Sequence, residues 1–138
     1  METQREKWQN LKGNVFSKPI AELVEENIIR EKEMGNEISV CIGSDSHVYG
    51  DFINYATAIV FVRKRKGAFA FVRKDKVLQK ISIKERMLNE VNKSVEIAYL
   101  ISPILEKYGV EMEVHADINT DADYKSNAAL KDAMGYIL

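Results

Sequence analysis

Cysteine is nearly absent from this 138-residue sequence: Cys41 stands alone, so no intramolecular disulfide forms and no cysteine pair can ligate zinc. A cytoplasmic setting is the expectation that follows. With 2 prolines and 7 glycines the chain is far from collagen-like or low-complexity composition. No apolar run approaches the roughly 18 residues of a membrane-crossing helix. The opening METQREKWQN also lacks an apolar signal core. Charge of one sign is missing too: at a formal net charge of −1, a nucleic acid would have to be held by a local basic patch instead of the overall field. What is present is 46% hydrophobic and 30% charged residues, enough at this length for one core that buries about two thirds of the unfolded surface.

Residues 1–15 read as a polar lead-in with Trp8 as its anchor. The spacing predicts a helix over 17–36, with Ser17 as N-cap, Pro19 in the first turn and Gly35 or Asn36 as the stop. Ile20, Leu23, Val24, Ile28 and Met34 make its apolar stripe. A strand is predicted over 37–44, a second over 52–64, and a hairpin partner over 67–74. A long helix then starts at Ser82, whose capping box is completed by Glu85, and Pro103 is expected to kink or shorten it. VEMEVHADIN, residues 110–119, alternates as a fourth strand, with Glu111, Glu113, His115 and Asp117 on one face. YKSNAALKDAM reads as a last short helix. No repeat or linker divides the chain, so residues 1–138 are expected to form one domain, with 1–36 as an N-terminal extension and helix.

Three carboxylates fall at informative places in this α/β order. Asp45 is expected to close the first strand and Asp117 the fourth. The third is a matter of helical phase. With Ile83 at zero and about 100° per residue, Met87, Val91, Val95, Ala98, Ile101 and Leu105 span about 0–120°, and Glu90 lies near −20° at the edge of that stripe. A carboxylate aimed at a sheet is costly unless paired or bound to a cation. Asp45, Glu90 and Asp117 converging on one point would repel each other, and a divalent ion relieves that repulsion; an all-oxygen set suits Mg2+ or Mn2+. The same segment, DINTDAD, begins like a calcium loop, but Ala122 and Ala128 stand where glycine and glutamate are required. An EF-hand is rejected, while Asp121 or Asp123 can still assist a metal.

Each feature has a plainer reading. Asp45 can be a turn residue beside Ser46 and Gly50, and Glu90 a salt-bridge partner for Arg86. His47 and His115 are structural histidines or auxiliary ligands and proton carriers. Arg63, Lys64, Arg65, Lys66, Arg73, Lys74 and Lys76 form the one dense basic run, either a solvated turn or a phosphate-binding patch. Phe69 and Phe71 alternate as core residues do.

At IGSDSHVYG, FVRKRKGAFAFVRK and HADINTDADYKSN the sequence resembles the small bacterial YkuK family, assigned to the ribonuclease H-like fold and regarded as nuclease-related. The resemblance covers about residues 15–138. It implies a mixed sheet of three antiparallel strands, a crossover helix and a parallel fourth strand. It also implies a two-metal site cleaving phosphodiester bonds, with Asp45, Glu90 and Asp117 at the matching positions and Mg2+ or Mn2+ as cofactor. The nucleic acid, RNA or DNA, would be guided by Arg63, Lys64, Arg65 and Lys66. Such proteins continue through a fifth strand and a C-terminal helix. This chain ends where that strand would begin, so the C-terminal part of the fold is expected to be missing and GYIL to be poorly covered or packed against another copy. The alternative functions are a non-catalytic binding or scaffold module of the same fold, or an enzyme acting on small phosphorylated metabolites.

Overall fold

A computed structural model describes residues 3–5 and 7–115. In chain order the elements are β1 (Thr3–Arg5), β2 (Gln9–Asn10), α1 (Ile20–Glu33), β3 (Ile38–Tyr49), β4 (Phe52–Arg63), β5 (Gly67–Leu78), α2 (Ile83–Lys107) and β6 (Glu111–His115). They form one sheet in the order β1-β5-β4-β3-β6, with β2 also pairing with β5. β3, β4 and β5 are antiparallel neighbours, whereas β6 runs parallel to β3, from Glu111 beside Ser39 to His115 beside Gly43. A parallel neighbour needs a crossover, and α2 supplies it. The mixed sheet expected from the sequence is therefore present. The predicted last helix and the GYIL end lie outside the described residues.

β3 is longer than its apolar run. It continues through Ser46, His47 and Val48 to Tyr49 because β4 offers a partner at every position, ending with Tyr49 opposite Phe52. Asp45 thus lies within the strand instead of closing it. Gly50 and Asp51 make the turn, and Gly50 takes the positive φ of 56° that a two-residue hairpin favours. The lead-in also differs from expectation, since Thr3–Arg5 and Gln9–Asn10 both add strand to β5. Trp8 is buried between them and the core, as expected of an anchor.

The helices α1 and α2 lie on one face of the sheet. Ile20, Leu23, Val24 and Ile28 of α1 pack with Ile97, Ile101 and Leu105 of α2 against Val40, Ile42, Ile59 and Phe61. Each such aliphatic side chain contributes about 1.5–3 kcal/mol by leaving water. Pro19 takes the cap position of α1 with no side-chain bond, so Ser17 stands too early to cap it, and Met34 is exposed. The Ser82 box forms as expected, its hydroxyl accepting from the Glu85 N–H at 3.1 Å. Pro103 does not end α2, which runs on to Lys107; the carbonyl it leaves without a donor belongs to exposed Tyr99, where water can reach it. The expected stripe is correct for Ala98, Ile101 and Leu105 but not for Met87 and Val95, which are 49% and 37% exposed. In its first half α2 seats polar side chains on the sheet.

One ion pair ties α1 to the β4 end. Arg63 donates through Nε and Nη2 to the buried Glu31 carboxylate at 2.6 and 3.1 Å. That hydrogen bonding holds the Glu31 carboxyl below its usual range of about 4.5, against the opposing effect of burial. A depressed folded-state pKa gives stability that is present above the unfolded value and is lost as pH falls through the folded one. Urea unfolding below about pH 4.5 should therefore show a fall in stability that Glu31→Gln reduces. An unchanged pH slope in that variant would assign the acid sensitivity to other groups.

Candidate nucleic-acid site

Strand alternation sorts the residues around Asp45 onto two faces. Ser44 and Ser46 point toward α2. The Ser44 hydroxyl lies 2.8 Å from that of Ser94 and donates to Thr57 Oγ1 at 3.1 Å, while Ser46 Oγ donates to Glu90 in a very short contact. Glu90 does aim at the sheet, as its helical phase predicts, and a hydroxyl meets it there. Next to it Asn89 donates to the Tyr55 hydroxyl at 3.0 Å. Lys93 Nζ lies 3.0 Å from Asp75, whose carboxylate is fully buried and also lies 3.6 Å from Arg73 Nε. The Trp8 ring covers the Arg73 guanidinium at 5.2 Å. This polar layer between α2 and the sheet escapes single-residue inspection. Its signals are the alternation of Arg73 and Asp75 on β5 and the shared helical side of Asn89, Glu90 and Lys93.

Asp45 lies between the two serines in sequence and therefore on the other face. Its cross-strand neighbour is Ala56, which belongs to a second apolar cluster with Cys41, Ala58, Val60, Ala70 and Val72. Asp45 is half-buried, and its Oδ1 accepts from the Ser46 N–H at 2.8 Å. Among the described residues no ammonium or guanidinium stands within ion-pair distance of it. His47 follows on the same face, exposed, with its ring 4.7 Å from that of Tyr49. His115 reaches this face from β6 beside Gly43, with Nε2 at 3.3 Å from Glu113. Across the strands, Lys74 stands beyond Ala56 in the Asp45 row and Lys76 beyond Asn54 in the His47 row. The structure thus brings Asp45, His47 and His115 to one face and sends Glu90 to the opposite one.

The basic turn lies elsewhere. Arg63 is opposite Ile38, so the 63–66 segment sits seven residues from Asp45 along the strands, about 23 Å away at 3.3 Å per residue. Arg63 is held by Glu31, and Lys64 Nζ is 3.4 Å from Glu37. Lys66 donates to Asn36 at 3.0 Å, and Arg65 occupies the turn at a φ of 65°. Lys74 and Lys76 are the members of the basic run that share the end and face of Asp45.

Asp45 offers an oxygen donor of the kind Mg2+ and Mn2+ take, and such ions need as few as one or two carboxylates when water and a substrate phosphate complete the shell. Among the described residues, however, no group of three or more His, Cys, Asp or Glu side chains is arranged to hold a metal. Asp117 and Asp121 lie outside the described residues, and β6 ends at His115, two residues before Asp117 in the sequence. Cys41 supplies no nucleophile: burial, then the Glu113 charge, pushes its thiol up to about 12, so it stays protonated at neutral pH. No helix among the described residues is long and apolar enough to cross a membrane.

A search of curated proteins finds no match to the sequence. The family model described as Ribonuclease H-like matches residues 20–138, from the start of α1 onward. That span holds the β3–β4–β5 antiparallel run, the α2 crossover and parallel β6, the arrangement the resemblance implied. With most of its length matched and the strand order in agreement, the chain belongs to the ribonuclease H-like family.

Proposed function

We propose that this protein binds nucleic acid on the sheet face opposite α1 and α2 and cleaves the phosphodiester backbone with Mg2+ or Mn2+ held at Asp45. The observation that supports this most directly is the company Asp45 keeps: a half-buried carboxylate within a continuous strand, with His47 and His115 on its face and Lys74 in its cross-strand row. Asp117 and Asp121 are proposed as further metal ligands, because the sequence places them directly after the strand that runs parallel to β3. A bound ion of this kind lowers the pKa of its water and stabilises charge on the scissile phosphate. The rest falls to the protein. β3 positions the Asp45 carboxylate, its backbone held by the β4 ladder opposite Ala56 and, up to Gly43, by β6 on the other side. Lys74 and Lys76 attract the phosphate backbone, and His47 and His115 supply proton-carrying side chains on the same face as Asp45. Glu90 keeps Ser46 and α2 in place on the far side.

A non-catalytic nucleic-acid-binding module is favoured by one observation: Glu90 contacts Ser46 across the sheet from Asp45, which separates two of the three carboxylates a shared metal would need. Labelled single-stranded and duplex oligonucleotides incubated with the protein in manganese or in chelator distinguish the readings. Products formed only with manganese support the nuclease. Binding without products in either buffer supports the module, and neither binding nor products would overturn both.

A further inference from the structure

Beyond Asp45 the sheet face opposite α1 and α2 ends in rings and cations, with Leu78 opposite Phe52 as an aliphatic member of the last row. In the last rows of β3, β4 and β5, Tyr49 stands opposite Phe52, and His47 stands opposite Asn54, which in turn faces Lys76. The His47 and Tyr49 rings lie 4.7 Å apart, and the Lys76 ammonium sits 4.2 Å over the Phe52 ring. Tyr49 is 56% exposed. A buried role does not explain such rings, and their exposure in water costs free energy.

We infer that this end of the sheet is a base-stacking platform for single-stranded nucleic acid, with Tyr49 and His47 receiving bases and Lys76 and Lys74 receiving phosphates. It deepens the function proposed above by naming the substrate class, and it rests on that reading. The cations choose the partner: an apolar protein surface would gain nothing from an ammonium held on Phe52, whereas a polyanion with flat bases meets both features. Unpaired strands are the form that fits, because base faces are covered in a duplex. The rows span two strand spacings, roughly 10 Å, which is room for the bases of neighbouring nucleotides. A strand lying across them leads from the rings toward Asp45, two residues from His47 on the same face.

The test is fluorescence anisotropy of the full chain in chelator, using a labelled 12-nucleotide single strand and the same sequence as a duplex. The single strand should bind more tightly than the duplex. Tyr49→Ala should weaken it roughly fivefold to a hundredfold, the loss of one stacked base, with Tyr49→Phe restoring most of the affinity. Lys76→Gln should lower the slope of log affinity against log salt by about 0.7, one phosphate contact on a single strand. Equal affinity for the two forms, or a Tyr49→Ala variant that binds as the wild type does, would overturn the platform. Manganese-dependent cleavage that disappears with Asp45→Asn in either case would leave the proposed nuclease standing, so the two ideas fail separately. Stacking-dependent binding by the unsubstituted protein with no cleavage in manganese would sink the nuclease alone.

Discussion

Asp45→Asn is expected to reduce metal-dependent cleavage by roughly a hundredfold to a thousandfold or more, the loss typical when one preorganised electrostatic contact is removed. The substitution keeps shape and removes one charge. The amide oxygen of the new side chain can still accept from the Ser46 N–H as the Asp45 carboxylate does, so folding should persist. The metal response is the sharper readout. Manganese at about 100 times its dissociation constant should stabilise the wild type by about 2.7 kcal/mol, roughly 8–12 °C in Tm for a domain this size, and should leave the Asp45→Asn variant nearly unshifted. Glu90→Gln should still accept from the Ser46 hydroxyl through its amide oxygen and keep a metal shift of wild-type size, because the Glu90 side chain lies on the helix side. If instead Glu90→Gln abolishes the shift, the two carboxylates share an ion despite their opposite faces in this structure.

Asp75→Ala should cost about 3–5 kcal/mol of folding stability, a large part of the roughly 5–15 kcal/mol available to a domain. Asp75 is fully buried, with Lys93 Nζ at 3.0 Å and Arg73 Nε at 3.6 Å, and both cations are themselves mostly shielded. Removing the carboxylate leaves two positive charges facing each other away from water. Lys93→Met together with Asp75→Leu should recover part of the loss, since it removes one of the two stranded cations and fills the space with apolar groups, while the Arg73 guanidinium stays buried under Trp8. Urea unfolding of the single and double variants decides this. A loss under about 1 kcal/mol for Asp75→Ala would mean that water reaches the pair and screens it.

Much of the architecture was legible in the sequence because β-branched and aromatic runs with turn residues between them leave few alternatives. IVFVRKRKGAFAFV can hardly be other than a hairpin, and Ser82 with Glu85 marks the start of α2 wherever α2 packs. The short strands at Thr3–Arg5 and Gln9–Asn10 were not legible, since segments of this length have no period to detect. The apolar residues of α2 suggest one helical phase along its whole length. Ser94, Lys93 and Asn89 decide its first half, because buried hydroxyls and ions on the sheet supply their hydrogen bonds and Met87 and Val95 turn outward. For Asp45 the sequence is a better guide to place in the chain than to place in space: the same alternation that defines a strand puts it and the Glu90-bound Ser46 on opposite faces. Arg63 looks like a surface cation for want of any local partner, and its partner Glu31 stands 32 residues earlier.

The family match begins at residue 20, but the folding unit does not. Thr3–Arg5 and Gln9–Asn10 hydrogen-bond along β5, and Trp8 between them covers the Arg73 guanidinium and joins the core beside Phe71. A chain trimmed to the recognised span would bare the outer rim of β5, a row of donors and acceptors ready to recruit another molecule, and would remove an indole from the interior at the same time. A cut at the start of the family match is therefore expected to yield a less soluble protein than the full chain, because residues 3–5 and 8–10 shield that rim and fill that part of the interior.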